Sequence, residues 1–133
     1  MGIVIDTGIF IRAEREGRAD LADFLRTDEE VGLCTITLSE LYEGVHLANN
    51  TRRALERRNF IEQFVTVLPL LEFNREAALQ HARLRALQRQ QGKTIGAHDM
   101  IIAATAMELG WDVLTFNAAE FRQVEGLGVR APA

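Results

Sequence analysis

The sequence contains one cysteine, so no disulfide can form within the chain. Cys34 lies in the apolar stretch VGLC, where we expect a small buried side chain rather than a reactive thiol. No apolar run approaches the roughly 20 residues of a membrane-spanning helix, and the first residues do not combine a basic segment with an apolar one. These absences predict a protein that stays in the cytoplasm and does not enter a membrane.

Zinc sites and the common nucleotide-binding loops are missing as well. The chain has no G-x-x-x-x-G-K-[ST] loop and no G-x-G-x-x-G loop, which are typical of nucleoside triphosphatases and of dinucleotide-binding enzymes. The three histidines, His46, His81 and His98, are scattered, and no cysteine and histidine have the spacing of zinc ligands. We therefore expect neither a zinc site nor a nucleotide cofactor.

Lysine is almost absent, because 14 of the 15 basic residues are arginine. The net charge of −4 argues against a nucleic-acid partner in general, since affinity for phosphate comes mainly from basic side chains. Four arginines nevertheless fall in RRALERR, residues 52–58, and the planar guanidinium group grips phosphate well. This cluster is either a phosphate contact or a solvated helix face.

The composition is that of a globular domain. Hydrophobic residues make up 47% and charged residues 26%, close to the average, which argues against a disordered chain. A chain of 133 residues is long enough for one hydrophobic core but short for two. We expect a single domain over residues 1–133.

Short apolar segments alternate with helical patterns along the chain. Strands are predicted at 3–5, 31–35, 65–70, 111–115 and 127–131. Helices are predicted at 9–17, 20–26, 37–48, 51–64, 74–91 and 99–110. The alternation predicts an α/β fold of three layers, in which a parallel sheet of about five strands lies between helices.

The helix patterns also predict buried faces. The faces expected to be buried consist of Leu38, Leu41, Tyr42 and Val45; of Leu55, Phe60, Ile61 and Phe64; and of Ala77, Ala78, Leu84 and Leu87. Leu41, Val45, Phe60 and Phe64 could instead contact a second subunit or another protein, although the core is the favoured position.

Three acids stand at the boundaries between predicted elements, and each has a purely structural interpretation. Asp6 ends the first strand and could form a turn. Glu40 follows Thr37 by three residues, which is the spacing of a helix capping box. Asp99 begins a helix, where the helix dipole favours a negative charge.

Taken together, the acids indicate a metal site. In an alternating α/β fold the ends of the strands and the starts of the helices meet at one edge of the sheet, so Asp6, Glu40 and Asp99 are expected to lie close together. Neighbouring carboxylates repel one another and their pKa values rise unless a cation compensates. Mg²⁺ or Mn²⁺ fits best, because these hard ions accept a few carboxylates and retain water.

A hard cation at such a site polarises a phosphoryl oxygen and activates a water, so phosphodiester hydrolysis is the expected chemistry. A signalling receiver module also carries an aspartate at a strand end beside other acids. That module uses a lysine at a strand end near its C-terminus. Lys93, the only lysine here, precedes the apolar helix instead.

These motifs resemble the PIN-domain ribonucleases, in particular the VapC toxins of type II toxin–antitoxin pairs. The resemblance covers nearly the whole chain and consists of IVIDTG, TITLSELYEG, GKTIGAHDMIIAATAMELG and VLTFNAAEF, in that order. It implies a PIN-like fold and Mg²⁺-dependent endonucleolytic cleavage of RNA. It also implies a homodimer, and inhibition by a VapB antitoxin that inserts a C-terminal segment into the site.

Carried over by position, Asp6 and Asp99 resemble the principal metal ligands of this family, and Glu40 the acid that binds metal or orients water. Many relatives carry a further acid where this chain has Asn117, whose amide oxygen could coordinate the metal or position a water in its place. Glu120, three residues later, is the other candidate and would supply the missing charge. The hydroxyl residues that resemble those around the family's acids are Thr7 and Thr115. His98, next to Asp99, is a weaker candidate for substrate contact.

The leading hypothesis is therefore a metal-dependent endoribonuclease toxin with an antitoxin partner. Two other hypotheses remain open from the residues alone. One is a PIN-domain nuclease with a housekeeping role in RNA processing, and the other is a non-enzymatic module that binds a partner and uses its acids only to cap helices.

Overall fold

The computed structural model describes residues 1–17 and 28–132. The strands are β1 (Gly2–Ile5), β2 (Glu30–Cys34), β3 (Leu70–Leu71), β4 (Asp112–Leu114) and β5 (Val129–Arg130). The helices of the described ranges are α1 (Thr7–Arg15), α2 (Thr35–His46), α3 (Thr51–Val65), α4 (Arg75–Gln91), α5 (Ala97–Leu109) and α6 (Ala118–Phe121). The helix predicted at 20–26 lies outside these ranges.

The five strands form one parallel sheet in the order β3-β2-β1-β4-β5. β1 is central and buried along its whole length, as its apolar run predicts. Ile3 pairs with Val31 on one side and with Asp112 on the other. The predicted parallel sheet of five strands is confirmed.

Helices cover both faces of the sheet. Successive residues of β1 point to opposite faces and therefore contact different helices. Ile3 and Ile5 pack into a cluster formed with α1, α2 and α3, whereas Val4 packs into a second cluster formed with α4, α5 and α6. The predicted architecture of three layers is therefore confirmed. None of the described helices has the length and apolarity needed to cross a bilayer.

The strand order argues against a receiver module. Receiver domains have the order 2-1-3-4-5, in which the third strand lies beside the first. Here β3 lies at the edge beside β2, and β4 takes the position next to β1. The shared feature is only an acid at the end of the first strand.

Most predicted boundaries agree with the structure, but the third strand is much shorter than predicted. α3 continues through Val65, and only Leu70 and Leu71 pair with β2. β3 is an edge strand, and the carbonyl of Pro69, which precedes it, accepts a hydrogen bond from the Leu33 N–H at 3.1 Å. The predicted ends of the long helix are also confirmed: Asn74 caps the N-terminus of α4, and Gly92 follows its end with φ 65°.

Two predicted core residues are exposed. Leu55 is 57% exposed, because a helix turns by about 100° per residue and Leu55 therefore points away from Phe64, nine residues later. Ala78 is exposed for the same reason, since it lies beside the face that buries Ala77 and Leu84. The core positions of Leu41, Val45, Ile61 and Phe64 are confirmed, and Phe60 packs against them half-buried.

Cys34 is buried, as predicted for a small core side chain. Burial raises the pKa of its thiol to about 12, so the group remains protonated at physiological pH. The cysteine has a packing role.

Candidate active site

Asp6 lies where β1 ends and α1 begins, at the carboxyl edge of the sheet. Its backbone N–H donates to the Leu114 carbonyl at 3.0 Å, which joins the ends of β1 and β4. Its Oδ1 accepts a hydrogen bond from the Thr7 N–H at 2.8 Å, so Asp6 caps α1. Its Oδ2 accepts a hydrogen bond from Thr115 Oγ1 at 2.7 Å. The cap role is real, but it engages only one of the two carboxylate oxygens.

The surroundings of Asp6 disfavour the ionised form of its carboxyl group. Burial raises its pKa, and the charges of Glu40 and Glu120 raise it further, whereas the hydrogen bonds from Thr115 and Thr7 act in the opposite direction. The acid is only 8% exposed. Asp6 is thus a buried carboxylate near two other acids.

Asp99 shows the same effect more strongly. It is the third residue of α5, where the helix dipole alone would favour its charged form. Its pKa is instead raised to about 8, first by burial, then by a hydrogen bond with Glu120, and then by the charges of Asp6, Glu120 and Glu40. Burial and the neighbouring acids therefore outweigh the effect of the helix dipole on Asp99.

Glu40 does not form the predicted capping box, so that interpretation is wrong. α2 begins at Thr35 with Cys34 as its N-cap, which places Thr37 inside the first turn. Glu40 Oε1 accepts a hydrogen bond from Thr7 Oγ1 at 2.6 Å, and Glu40 Oε2 lies 3.2 Å from His98 Nδ1. The side chain therefore points across the sheet edge to α1 and α5.

The two predicted hydroxyl residues contact the acids directly. Thr115 Oγ1 donates to Asp6 and accepts a hydrogen bond from the Asn117 N–H at 2.8 Å. Thr7 Oγ1 donates to Glu40 and lies 3.1 Å from Thr37 Oγ1. Both hydroxyls are buried, so they fix the orientation of the carboxylates.

Glu120 supplies the fourth acidic group of the cluster, and Asn117 binds it. Glu120 Oε1 accepts a hydrogen bond from the Gly96 N–H at 2.7 Å, next to the start of α5. Its Oε2 accepts a hydrogen bond from Asn117 Nδ2. The amide of Asn117 thus orients Glu120, whose charge acts on both Asp6 and Asp99.

Sequence reasoning missed two members of this network. Thr37 was interpreted only as a cap, although its spacing of three residues from Glu40 places both on one face of α2. Gly96 carries no functional side chain, so only the structure shows that its N–H positions Glu120. His98 received a minor role, and its contact with Glu40 requires the packing of α5 beside α2.

The donor chemistry suits a hard cation, but the acids do not form a complete cage. Within the part of the chain that the structure describes, no three acidic, histidine or cysteine side chains are placed to hold a metal by themselves. Glu40 is held by Thr7 and lies beside His98. Mg²⁺ commonly uses one or two carboxylates and keeps several waters, so a site for this ion does not require three protein ligands.

Comparison with known proteins identifies similar chains. The family model described as "PIN domain" matches residues 3–127. The chain is 36% identical to Ribonuclease VapC1 of Rickettsia felis over 97% of this chain and 95% of that protein. It is 29% identical to the tRNA(fMet)-specific endonuclease VapC of Shigella flexneri over 93% and 92% of the two chains.

A solved structure supports the same assignment. The crystal structure of DNA-bound VapBC from Salmonella typhimurium contains a chain with a TM-score of 0.85 and 26% identity, and the match covers 98% of each chain. The agreement of fold, motif order and sequence identity extends over nearly the full length. The chain therefore belongs to the PIN-domain family and, within it, to the VapC ribonucleases.

Proposed function

We propose that this protein is a Mg²⁺-dependent endoribonuclease, with Mn²⁺ as a possible substitute, and that it acts as the toxin of a type II toxin–antitoxin pair. The observation that carries the proposal is the group of acids at the sheet edge, where burial and the neighbouring carboxyl groups raise the pKa of Asp99 to about 8. Membership in the VapC ribonucleases makes RNA the substrate class. An enzyme that cleaves cellular RNA acts in the cytoplasm.

Asp6 and Asp99 are the proposed metal ligands. Both are partly desolvated and both carry a pKa raised by neighbouring acids, so a divalent cation would relieve their repulsion. When bound, Mg²⁺ supplies a Lewis acid for the scissile phosphoryl group and lowers the pKa of a coordinated water. Glu120 adds negative charge beside Asp99, in place of the acid that Asn117 lacks.

Glu40 is the proposed residue for orienting the attacking water and accepting its proton. Its carboxylate is held at one oxygen by Thr7 and lies beside His98 at the other. Thr115 holds one oxygen of Asp6, so each of these acids has a fixed orientation before substrate arrives. This preorganisation reduces the reorganisation needed during the reaction.

Cleavage of total cellular RNA tests the enzymatic part of the proposal. The purified full-length protein with Mg²⁺ should create new RNA ends, detected by gel and by sequencing, and EDTA should abolish them. Added Mn²⁺ should restore cleavage after EDTA treatment. Cleavage that persists in excess EDTA would reject the metal mechanism.

The partner part of the proposal rests on the relatives. The similar Salmonella chain was solved as part of a VapBC complex bound to DNA. We propose that this chain forms a homodimer and is inhibited by a VapB-type antitoxin that enters the acidic site.

Expression with and without the product of the neighbouring small gene tests the partner. Growth arrest should occur only without that product, and Asp99→Asn should remove the arrest. A chain that cleaves RNA but is harmless on its own would instead be a housekeeping nuclease.

A further inference from the structure

Four basic side chains form a stripe along α4 that the proposed mechanism does not use. His81, Arg85, Arg89 and Lys93 follow one another at intervals of four residues, so they lie along one side of the helix and the turn after it. We call these four residues the basic stripe. The spacing is visible in the sequence, but only the structure shows that these residues line one cavity.

The basic stripe lines a cavity of about 450 Å³ between α4 and the start of α5. The remaining walls of the cavity are Gln88, Ile95, Ala97, Met100 and Ile101. No acid is among the described residues that line it, although the chain as a whole has a net charge of −4. The local charge is therefore opposite to the average charge of the protein.

The arginines of the basic stripe differ from those of α3. Arg52 and Arg53 both bind Glu56, at 3.1 and 3.0 Å. Within residues 1–17 and 28–132, neither the Arg85 side chain nor the Arg89 side chain has a hydrogen bond or an ion pair with another residue. The cluster RRALERR is thus partly neutralised by its own glutamate, whereas the basic stripe is not.

The repulsion within the basic stripe falls mainly on Arg85 and Arg89. Like charges four residues apart destabilise a helix. His81 has a lowered pKa because of burial and because of the Arg85 charge, which is consistent with excess positive charge along the stripe. Arg89 gains something from its place in the last turn of α4, but Arg85 does not.

The cavity is close to the acidic site in the fold. Ala97 and Ile101, which line it, lie one turn apart on α5, and Asp99 lies between them in sequence on the other side of the same helix start. The wall formed by Ala97 and Ile101 therefore lies on the opposite side of α5 from Asp99, and the basic stripe lines the same cavity from α4. Lys93 is held there, because its Nζ donates to the Gln123 carbonyl at 3.1 Å.

We propose that the basic stripe binds the phosphates of the RNA strand on one side of the scissile bond, and that Arg85 and Arg89 are the main contacts. The inference rests on the proposed function, because it assigns a second contact for the same substrate. Arginine donates two parallel hydrogen bonds to phosphate, and a strand held there passes over the start of α5 towards Asp99.

The test is RNA binding in EDTA, where cleavage does not interfere. The probe is a short fluorescein-labelled single-stranded RNA of mixed sequence, titrated with the full-length protein at several salt concentrations. The test variant is Arg85→Gln/Arg89→Gln. The control is Arg52→Gln/Arg53→Gln, which removes the same charge from arginines that are paired with Glu56.

We expect Arg85→Gln/Arg89→Gln to weaken RNA binding roughly tenfold or more at about 0.1 M salt. The slope of log Kd against log salt should fall by about 1.4, since each phosphate contact on a single strand contributes about 0.7. The control should change the affinity less than about twofold. The thermal midpoint of each variant verifies folding.

Three results would overturn the proposal. Equal weakening by both double variants would mean that only net charge matters. Unchanged RNA binding with a changed oligomeric state, measured by light scattering, would assign the basic stripe to a protein contact. Loss of duplex DNA binding with intact RNA binding would assign it to DNA.

The same proteins separate this proposal from the proposed function. If the wild type cleaves RNA with Mg²⁺ but Arg85→Gln/Arg89→Gln binds RNA normally, only the role of the basic stripe is wrong. If the wild type neither binds nor cleaves RNA, both proposals fail. If both hold, Arg85→Gln/Arg89→Gln should raise the KM for cleavage and leave kcat nearly unchanged.

Discussion

Two groups of charged side chains lie at opposite ends of β4 and differ in how their charges are arranged. Asp112, the first residue of β4, accepts a hydrogen bond from Arg130 Nε at 2.8 Å, and the same guanidinium binds both oxygens of Glu29 at 2.8 and 3.0 Å. Past the other end of β4, Thr115 binds Asp6, which lies near Glu40, Glu120 and Asp99. In the first group both acids contact a guanidinium, whereas the second group brings acids close to one another.

The difference separates structure from function. The two acids beside Arg130 raise the pKa of its guanidinium, so the native state favours the charged form. Burial and neighbouring carboxylates raise the pKa of Asp99, so the native state disfavours its charged form. A chain keeps such a cluster at a cost in stability, which a bound cation would recover.

Asp99→Asn should reduce RNA cleavage more than about 100-fold, because loss of a proposed metal ligand should lower activity more than loss of a residue that only supports a ligand. The measurement is the initial rate of RNA cleavage with Mg²⁺. Asp28→Asn, at an exposed position outside the cluster, is the control and should retain activity. Full activity of Asp99→Asn would remove this acid from the mechanism.

Thr115→Val should reduce cleavage by about 10–100-fold, since it removes the hydroxyl that orients Asp6. The matched control is Thr105→Val, because Thr105 is also buried but donates to the Ile101 carbonyl at 2.9 Å. Rates should be compared at a temperature where both variants are folded. Equal losses in the two variants would indicate a general packing effect.

Mg²⁺ should raise the thermal midpoint of the wild type by several degrees, because a ligand of the native state at about 100 times its Kd stabilises by about 2.7 kcal/mol. Asp99→Asn should show little of this increase. Thermal scans of both proteins in EDTA and in Mg²⁺ provide the measurement. A shift of equal size in Asp99→Asn would place the ion elsewhere.

In EDTA, the free energy of unfolding should decrease as the pH rises from about 4 to about 8. The native pKa of Asp99 is raised from 3.8 to about 8, so the native state binds the proton more tightly than the unfolded state over this range. Its contribution is complete below about pH 4 and is lost as the pH passes 8. Urea unfolding across this range should show a shallower decrease for Asp99→Asn, and an identical pH dependence would contradict the assignment.

Arg130→Gln should lower the free energy of unfolding by about 1 kcal/mol, as expected for partly exposed ion pairs with good geometry. The rate of RNA cleavage at a temperature well below the midpoint should be unchanged. Urea unfolding and the cleavage assay measure the two effects. A large loss of activity in the folded variant would mean that the two charged groups are coupled.

Local patterns predicted much of the fold. The two ends of α4, at Asn74 and Gly92, were predictable because a capping side chain and a left-handed glycine act only on the adjacent turn. The strand β1 was predictable because its apolar run admits burial on both faces. The bounds of β3 were not predictable, because pairing with β2 rather than the local sequence defines its two residues.

The candidate site was predictable as a group of acids but not as a network. The position of Asp6, Glu40 and Asp99 at one sheet edge follows from the alternation of strands and helices. The partners of Glu40 do not follow, because Thr7 and His98 reach it from two other helices. The arginines show the same limit: RRALERR stands out in the sequence, yet Glu56 binds two of its members.

The order of apolar and polar residues by itself determined the layers, the parallel pairing and the edge at which the acids gather, because burial and backbone hydrogen bonding act through short periodic patterns. Which acids contact a cation depends on the tertiary structure, because electrostatic energy depends on distance and burial. Asp112 shares the guanidinium of Arg130 with Glu29, whereas the similar side chain of Asp99 lies among other acids.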